Sequence, residues 1–302
     1  MVCIYYLFPS IGSHESGMII FKRVQHLKDW IRSRKEHKKS IGFVPTMGAL
    51  HKGHLSLVET SLANVDCTVV SIFINPRQFN DSDDLKKYPR PIESDIRMLS
   101  ETGIDVLFLP DEVDIYARGD ESHIDFDPGP AANSMEGKFR PGHFKGMAEV
   151  VYRLLAIVEP DKLYMGQKDF QQLTIVRKMI TDLHIPVLLE MCPTVRESNG
   201  LAMSSRNARL STEARQEAAI IYSTLVAAQR LYEEEAPVGE IKKLAMQALT
   251  RRNFDPEYFE IVDGISLEPV SSIDDSQFVV TCCAVKVEGI RLIDNAVWTR
   301  SE

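Results

Sequence analysis

No Gly-x-Gly-x-x-Gly and no Walker-type phosphate loop occurs in this 302-residue sequence, so neither of those glycine-rich nucleotide cradles is present. There is no Cys-x-x-Cys. The five cysteines, at positions 3, 67, 192, 282 and 283, are odd in number, and Cys67, Cys192 and the Cys282-Cys283 pair lie in apolar, strand-like runs. They read as core thiols of a reducing compartment, and a cytoplasmic location is expected. Positive charge is in short supply: 35 Lys and Arg stand against 43 Asp and Glu, a net charge of −8. That balance argues against a nucleic-acid partner, whose binding rests on clustered cations, and the one basic run, Arg32 to Lys39, reads as a solvated helix end. Long hydrophobic runs are missing too. The apolar start, Met1 to Pro9, is too short to span a bilayer and lacks a basic n-region and a small-residue cleavage site, so no membrane partner is expected. No internal repeat or low-complexity tract appears.

What is present is an ordinary globular composition, 44% hydrophobic and 26% charged, in a chain long enough for two domains. From Met18 the apolar pattern alternates between helix and strand. It predicts helices over Val24–Arg34, Gly53–Asn64, Pro91–Thr102, Gly146–Val158 and Gln171–Leu183. It predicts strands over Ile41–Val44, Cys67–Ile74, Asp105–Leu109, Lys162–Met165 and Pro186–Met191. Alternation of this kind gives a parallel sheet with helices on both faces, and ligands then gather outside the carboxyl ends of the strands. A Pro- and Gly-rich stretch, 127–142, reads as irregular. After about residue 193 the character changes. Ser211 is the expected N-cap of a long helix to about Glu235, a second helix covers Gly239–Arg251, and strand-like runs follow at Tyr258–Val262, Gln277–Val287 and Gly289–Asn295. The fold class expected is α/β: a Rossmann-like parallel-sheet N-terminal domain, 18–192, with a smaller α+β C-terminal lid domain, 193–302.

Four polar loops follow predicted strands and are expected to meet at one edge of the sheet. The first, Pro45-Thr-Met-Gly-Ala-Leu-His-Lys-Gly-His54, opens a helix with two histidines. A strand, a glycine-containing turn and a helix start present backbone N–H groups to a phosphate, and an imidazole there can donate to a phosphate oxygen. His51 and His54 could equally do no more than cap the helix, and spacing alone leaves both readings open. The second loop, Asn75-Pro-Arg-Gln78, carries an amide. The third, Gly166-Gln-Lys168-Asp169-Phe-Gln-Gln172, offers a lysine that is either a phosphate partner or a surface cation. The last contains Met203-Ser204-Ser205-Arg206-Asn207, a set of hydroxyls and a guanidinium that is either a phosphate-closing loop or a polar linker.

The ten residues 45–54 resemble the signature of the pantothenate synthetases, the pantoate–β-alanine ligases. Their His-x-Gly-His core is also similar to the wider nucleotidyltransferase superfamily that includes class I aminoacyl-tRNA synthetases. Further stretches agree in order: 75–80, Asp84 to Arg90, Arg140-Pro-Gly-His143-Phe-x-Gly146, 166–172 and 203–207. The resemblance covers about 18–295, which marks residues 1–17 as an extension with Met18 the functional beginning.

The resemblance implies ATP-dependent, AMP-forming condensation of pantoate with β-alanine through a pantoyl adenylate. The alternative is another adenylate-forming ligase or nucleotidyltransferase of the same superfamily; a tRNA-charging enzyme would need a basic face that this acidic chain lacks. It implies an ATP site at Met47, Gly48, Ala49, Leu50, His51, Lys52, Gly53, His54, Gly166, Gln167, Lys168, Asp169, Val195, Met203, Ser204, Ser205 and Arg206. His54 would be the proton donor with His51 beside it on the phosphates, and Lys168 and Arg206 would balance phosphate charge. The backbone of Val195 would meet adenine, and Asp169 would either contact ribose or orient Lys168. Gln78 and Gln172 would hold pantoate's hydroxyls, a task suited to amides that both donate and accept. Arg140 would reach a carboxylate or phosphate, or else anchor its loop. Magnesium would accompany ATP, with ligands the sequence does not name, and the enzyme would be a homodimer.

Overall fold

The computed structural model describes residues 17–80, 82–116, 124–272 and 275–299. Residues 1–16 of the expected extension lie outside it. The chain divides into two compact units, the first built from the chain up to Asp127 with Gly142–Gly166 and Val176–Cys192, the second from Pro128–Pro141, Gln167–Ile175 and everything from Pro193.

In chain order the first unit begins β1 (Ile19–Phe21), α1 (Val24–Glu36), β2 (Ile41–Thr46), α2 (Lys52–Asn64), β3 (Cys67–Ile72), α3 (Ser82–Lys87), α4 (Ile92–Ser100), β4 (Val106–Phe108) and α5 (Glu112–Ile115). After α6 (Glu136–Phe139), which belongs to the second unit, come α7 (His143–Val158), β5 (Lys162–Gly166), α8 (Phe170–Asp182), whose residues up to Ile175 are counted with the second unit, and β6 (Leu188–Cys192). The six strands form one parallel sheet in the order β1-β4-β3-β2-β5-β6. Its centre is made of β-branched and aromatic residues with helices on both faces, and Ile41, Phe43, Val44, Val69, Val70 and Leu107 are wholly buried. Gly42 is the exception in β2, and its size has a cause: a Cβ there would lie 2.3 Å from Ser61 Oγ and 2.8 Å from Val65 Cγ2, where α2 crosses the strand. From β2 the chain winds outward through β3 and β4 on one side, then returns to continue through β5 and β6 on the other. The reversal falls between β2 and β5, and in such sheets that switch point is where a ligand crevice opens at the carboxyl edge.

Several elements depart from the expectation. Strand β1 is only three residues long and gives no periodic signal. Strand β3 ends at Ile72 rather than Ile74, although Phe73 N–H still donates to Thr46 O at 3.0 Å. The helix expected from Ser211 to Glu235 is two helices, α9 (Thr212–Glu217) and α10 (Ile220–Glu233). Ser211 does cap the first, its Oγ accepting from Ala214 N–H at 3.1 Å. Between them the N–H groups of Ala219 and Ile221 bond three residues back, to Gln216 O and Ala218 O, and the tighter turn interrupts the α ladder.

The second unit continues with α11 (Val238–Leu249), β7 (Phe254–Asp263), β8 (Phe278–Val287) and β9 (Ile290–Thr299), the strands forming an antiparallel sheet in the order β7-β8-β9. Ile221 and Leu225 of α10 and Ile241 and Leu249 of α11 pack with Phe259, Val279, Val285 and Trp298 of the sheet. Strand β7 starts four residues earlier than the apolar run suggests. Pro256, which cannot donate to a ladder, is tolerated because β7 is an edge strand with a register shift between Pro256 and Tyr258. No helix among the described residues is long and apolar enough to cross a membrane.

The stretch read as irregular is tied into this unit by side chains. Gln171 Nε2 donates to Ala131 O at 2.6 Å and Ser134 O at 3.0 Å, and its Oε1 accepts from Glu136 N–H at 3.0 Å. The buried Glu136 carboxylate accepts from both terminal nitrogens of Arg291 and from Tyr258 OH at 2.7 Å. Burial alone would raise the Glu136 pKa, but Arg291 outweighs it and the net direction is downward. A depressed carboxyl pKa stabilises the fold above the unfolded value, about 4.3 for Glu, and the contribution is lost as pH falls through the folded value. Denaturant unfolding followed from pH 6 downward should therefore show wild-type stability falling in acid. Glu136→Gln should be less stable at neutral pH, since breaking a buried pair costs about 3–5 kcal/mol, and its acid slope should be shallower. Equal slopes would contradict the assignment.

Candidate active site

The turn that leaves β2 is built on unusual backbone. Gly48 and Ala49 both have positive φ, +79° and +50°, and a Cβ on Gly48 would sit 3.0 Å from Ile72 Cγ2. Thr46 Oγ1 donates to Ser71 O at 2.8 Å and accepts from Gly48 N–H at 3.2 Å, which starts the turn. Ala49 N–H and Leu50 N–H then both donate at 2.8 Å to Asp95, a carboxylate buried on α4.

The chain is thereby delivered to His51, the N-cap of α2. His51 Nδ1 accepts from Gly53 N–H at 3.1 Å, while His51 N–H donates to His54 Nδ1 at 3.3 Å. The two rings lie 4.0 Å apart between centroids. A ring nitrogen that accepts an N–H bond carries no proton, so these bonds assign the Nε2–H tautomer to both imidazoles. Helix capping is thus observed, and it directs the proton of each ring to Nε2.

The loops after β2 and β3 come together. Gln78 is buried, and its Nε2 donates to Met47 Sδ at 3.0 Å while its Oε1 accepts from Asn75 Nδ2 at 3.1 Å. Asn75 is in turn oriented by Tyr116 OH, which donates to its Oδ1 at 3.0 Å. Helix α7 closes against this turn because residue 146 is glycine: a Cβ there would lie 2.2 Å from Arg77 O. His143 Nδ1–H at the start of α7 donates to Gln78 O at 2.8 Å.

In the second unit, Gln167–Asp169 form a single 3₁₀ turn whose carbonyls are held by Asn295. Asn295 Nδ2 donates to Gln167 O at 2.9 Å and Lys168 O at 2.8 Å, and Gln167 Nε2 returns a bond to Asn295 Oδ1 at 3.1 Å. Lys168 Nζ lies 3.7 Å from Asp169 Oδ2. Asn295 N–H is fixed on Asp294 Oδ1 at 2.8 Å, and Asp294 is paired with Arg196 through two bonds of 2.6 and 3.0 Å. Burial raises the Asp294 pKa, against the pull of Arg196. The Arg196 guanidinium also stacks on Tyr222, 3.7 Å from its ring centre.

Arg196 stands in a short hairpin that brings Val195 and Met203 together, Met203 N–H donating to Val195 O at 3.0 Å. Ser204 then caps the 3₁₀ turn Ser205–Arg209, accepting from Arg206 N–H at 3.3 Å. Gln172 is half-buried and its amide makes no hydrogen bond among the described residues, in contrast to Gln171, which is spent on the 131–136 segment.

The sequence reading missed Asp95, Asn295 and the Asp294–Arg196 pair. Asp95 did leave a trace: it falls on the α4 stripe of Ile92, Ile96 and Leu99, where a charged residue is out of place. Asn295 left none, because it lies within β9 and the turn its side chain grips is more than a hundred residues away in sequence.

The fold and the loops define a class: an α/β enzyme whose polar loops leave the carboxyl edge of a parallel sheet. The family model described as pantoate-beta-alanine ligase matches residues 19–297, and the chain belongs to that family. Among its relatives is the pantothenate synthetase of Porphyromonas gingivalis, 43% identical over 278 residues, 92% of this chain and 98% of that protein. That of Flavobacterium psychrophilum is 44% identical over 280 residues, 92% and 99% of the two chains. The crystal structure of the Thermus thermophilus pantothenate synthetase superposes with a TM-score of 0.85 at 38% identity, covering 92% of this chain and 98% of that one. The pantoate-beta-alanine ligase of Francisella tularensis, complexed with beta-gamma ATP and beta-alanine, matches with a TM-score of 0.77 at 34% identity, covering 93% and 97%.

The Asn295 clamp has a measurable signature. Asn295→Ala strips two carbonyls and one amide of their partner, and a buried group left unsatisfied costs about 1–3 kcal/mol. Asn295→Asp, which sets a carboxylate against the Gln167 and Lys168 carbonyls, should lose at least as much in denaturant unfolding. Wild-type stability in Asn295→Asp would show that the clamp does not form.

Proposed function

We infer that the enzyme joins pantoate to β-alanine, using ATP and releasing AMP and pyrophosphate. Family membership supports the condensation, and the complex of the Francisella relative supports ATP and β-alanine as ligands. In the first step a carboxylate oxygen of pantoate attacks the α-phosphorus of ATP, the bond to the β-phosphate oxygen breaks, and pyrophosphate leaves. In the second, the amine of β-alanine attacks the acyl carbon of pantoyl adenylate, the bond to AMP breaks, and the nitrogen loses its proton. The activation replaces a poor leaving group on the acyl carbon with a good one.

The observation that carries this reading is the pair of backbone bonds to Nδ1 of the two histidines at the start of α2. His51 and His54 accept backbone bonds at Nδ1, so each neutral ring has its proton at Nε2, a form able to donate to phosphate oxygens. In this reading His54 is the proton donor and His51 its partner. Lys168 and Arg206 are the cations that balance phosphate charge as pyrophosphate separates, and the turns at Met47–Leu50, Lys52–Gly53, Gly166–Asp169 and Met203–Ser205 contact the nucleotide. The adenine lies against the Val195 backbone. Gln78 and Gln172 take the hydroxyls of pantoate; Gln78 has one N–H on Met47 Sδ and one lone pair on Asn75, which leaves a second of each for a ligand.

Magnesium enters with the nucleotide. No three His, Cys, Asp or Glu side chains cluster as a metal cage among the described residues, so triphosphate oxygens and water would supply most of its shell. A homodimer is the form proposed, from the family resemblance. The cytoplasm is the compartment proposed, in keeping with the buried free thiols of Cys67, Cys192, Cys282 and Cys283.

Labelled pyrophosphate should exchange into ATP when pantoate is present and β-alanine absent. His54→Ala should slow that exchange by about 10²–10³ with a cooperative melt, the usual loss for one positioned donor. Exchange driven by a proteinogenic amino acid instead of pantoate would overturn the function. A His54→Ala variant that exchanges at the wild-type rate but melts earlier would reduce the histidine to a helix cap.

A further inference from the structure

Asp95 is a charged residue on the buried face of an amphipathic helix, 1% exposed. Among the described residues no lysine, arginine or histidine pairs with it, and its hydrogen-bond partners there are the Ala49 and Leu50 amides alone, one to each oxygen at 2.8 Å. Burial pushes its pKa up, and those two bonds oppose the push. A buried carboxylate without a counter-ion is costly, and the groups that offset the cost here are the two loop amides. The loop needs the help. Ala49, which carries a Cβ, is held at φ +50° in the left-handed region that L side chains rarely adopt. Packing does not secure it on every side either, since Met47, Gly48 and Asp95 border a cavity of about 430 Å³.

We propose that Asp95 is a positioning residue for the histidine loop: from α4 its carboxylate holds the left-handed turn at Gly48–Leu50 and so places His51 and His54 for adenylation. The chain of contact is short. Asp95 fixes Ala49 and Leu50, Leu50 immediately precedes the N-cap His51, and the backbone of His51 fixes the His54 ring. Asp95 itself touches no substrate in this account. It acts through the loop, and the inference rests on the adenylating role given above to the two histidines.

The test replaces one oxygen. Asp95→Asn keeps the shape but turns an acceptor into an NH₂ group facing a backbone N–H. Misplacement of catalytic groups by about 1 Å costs on the order of 10²-fold. The kcat of pantoate-dependent pyrophosphate exchange should fall by about 10- to 100-fold, with KM for pantoate little changed and a cooperative melt retained. In an Ala49→Gly background, where the left-handed conformation carries no Cβ penalty, the same substitution should cost several-fold less. Wild-type kcat in Asp95→Asn, or an equal loss in both backgrounds, overturns the proposal.

Should Asp95→Asn not fold, amide hydrogen exchange of the wild type decides. The Ala49 and Leu50 protons should be protected to the level of the central strands, and exchange at loop rates overturns the proposal. A wild type that shows no pantoate-dependent exchange refutes the adenylating role instead, and the amide protection then judges the hold of Asp95 by itself.

Discussion

Two amide hydrogen bonds to one buried carboxylate carry the chain out of the central strand and into the helix that bears the histidines. Everything upstream leads to that turn. The apolar run of β2 is buried on both faces, which places it in the middle of the sheet, and the winding order makes its carboxyl end one side of the switch point. Everything downstream follows from it, because the helix cap that the turn delivers fixes the imidazole tautomers. Capping a helix is what the two rings are seen to do, and the donation to phosphate proposed for them is compatible with that geometry rather than a rival to it.

The second unit solves the same problem with different atoms. Its lysine turn is held by the Asn295 amide, Asn295 by Asp294, and Asp294 by the stacked Arg196. The 128–141 segment is held by Gln171 and by Glu136 on Arg291. With Gln171 and Asn295, as with Asp95, a buried polar side chain from elsewhere in the chain takes hold of backbone groups in a loop. Sites that must hold substrates to a fraction of an ångström require such support, since loops without it are too loose.

The distinction between what could and could not be read from sequence follows the range of the interactions. The β-branched run at Cys67–Ile72 and the amphipathic stretches of α1, α7 and α10 are local signals, and they were legible. So was the doubly wound alternation, and with it the carboxyl edge that the loops after β2 and β3 leave. Strand β1 was not, being three residues long and defined by its pairing with Val106–Phe108. The start of β7 was hidden by Pro256, whose tolerance depends on the strand lying at an edge. The break between α9 and α10 carries no proline or glycine to announce it. Among site residues, Gln171 and Gln172 look alike in sequence, and only the fold separates them, one occupied with the 131–136 segment and the other with no partner among the described residues. Asp95 and Asn295 are the deepest omissions, because each acts on backbone groups far away in the chain.

The central claim is that the carboxylate of pantoate attacks the α-phosphorus of ATP. Oxygen transfer tests it most directly. If pantoate labelled with ¹⁸O in its carboxylate is turned over with ATP and β-alanine, mass spectrometry should find one labelled oxygen in the phosphate of AMP and none in pyrophosphate. Label in inorganic phosphate with ADP as the product, or AMP without label, would contradict the account.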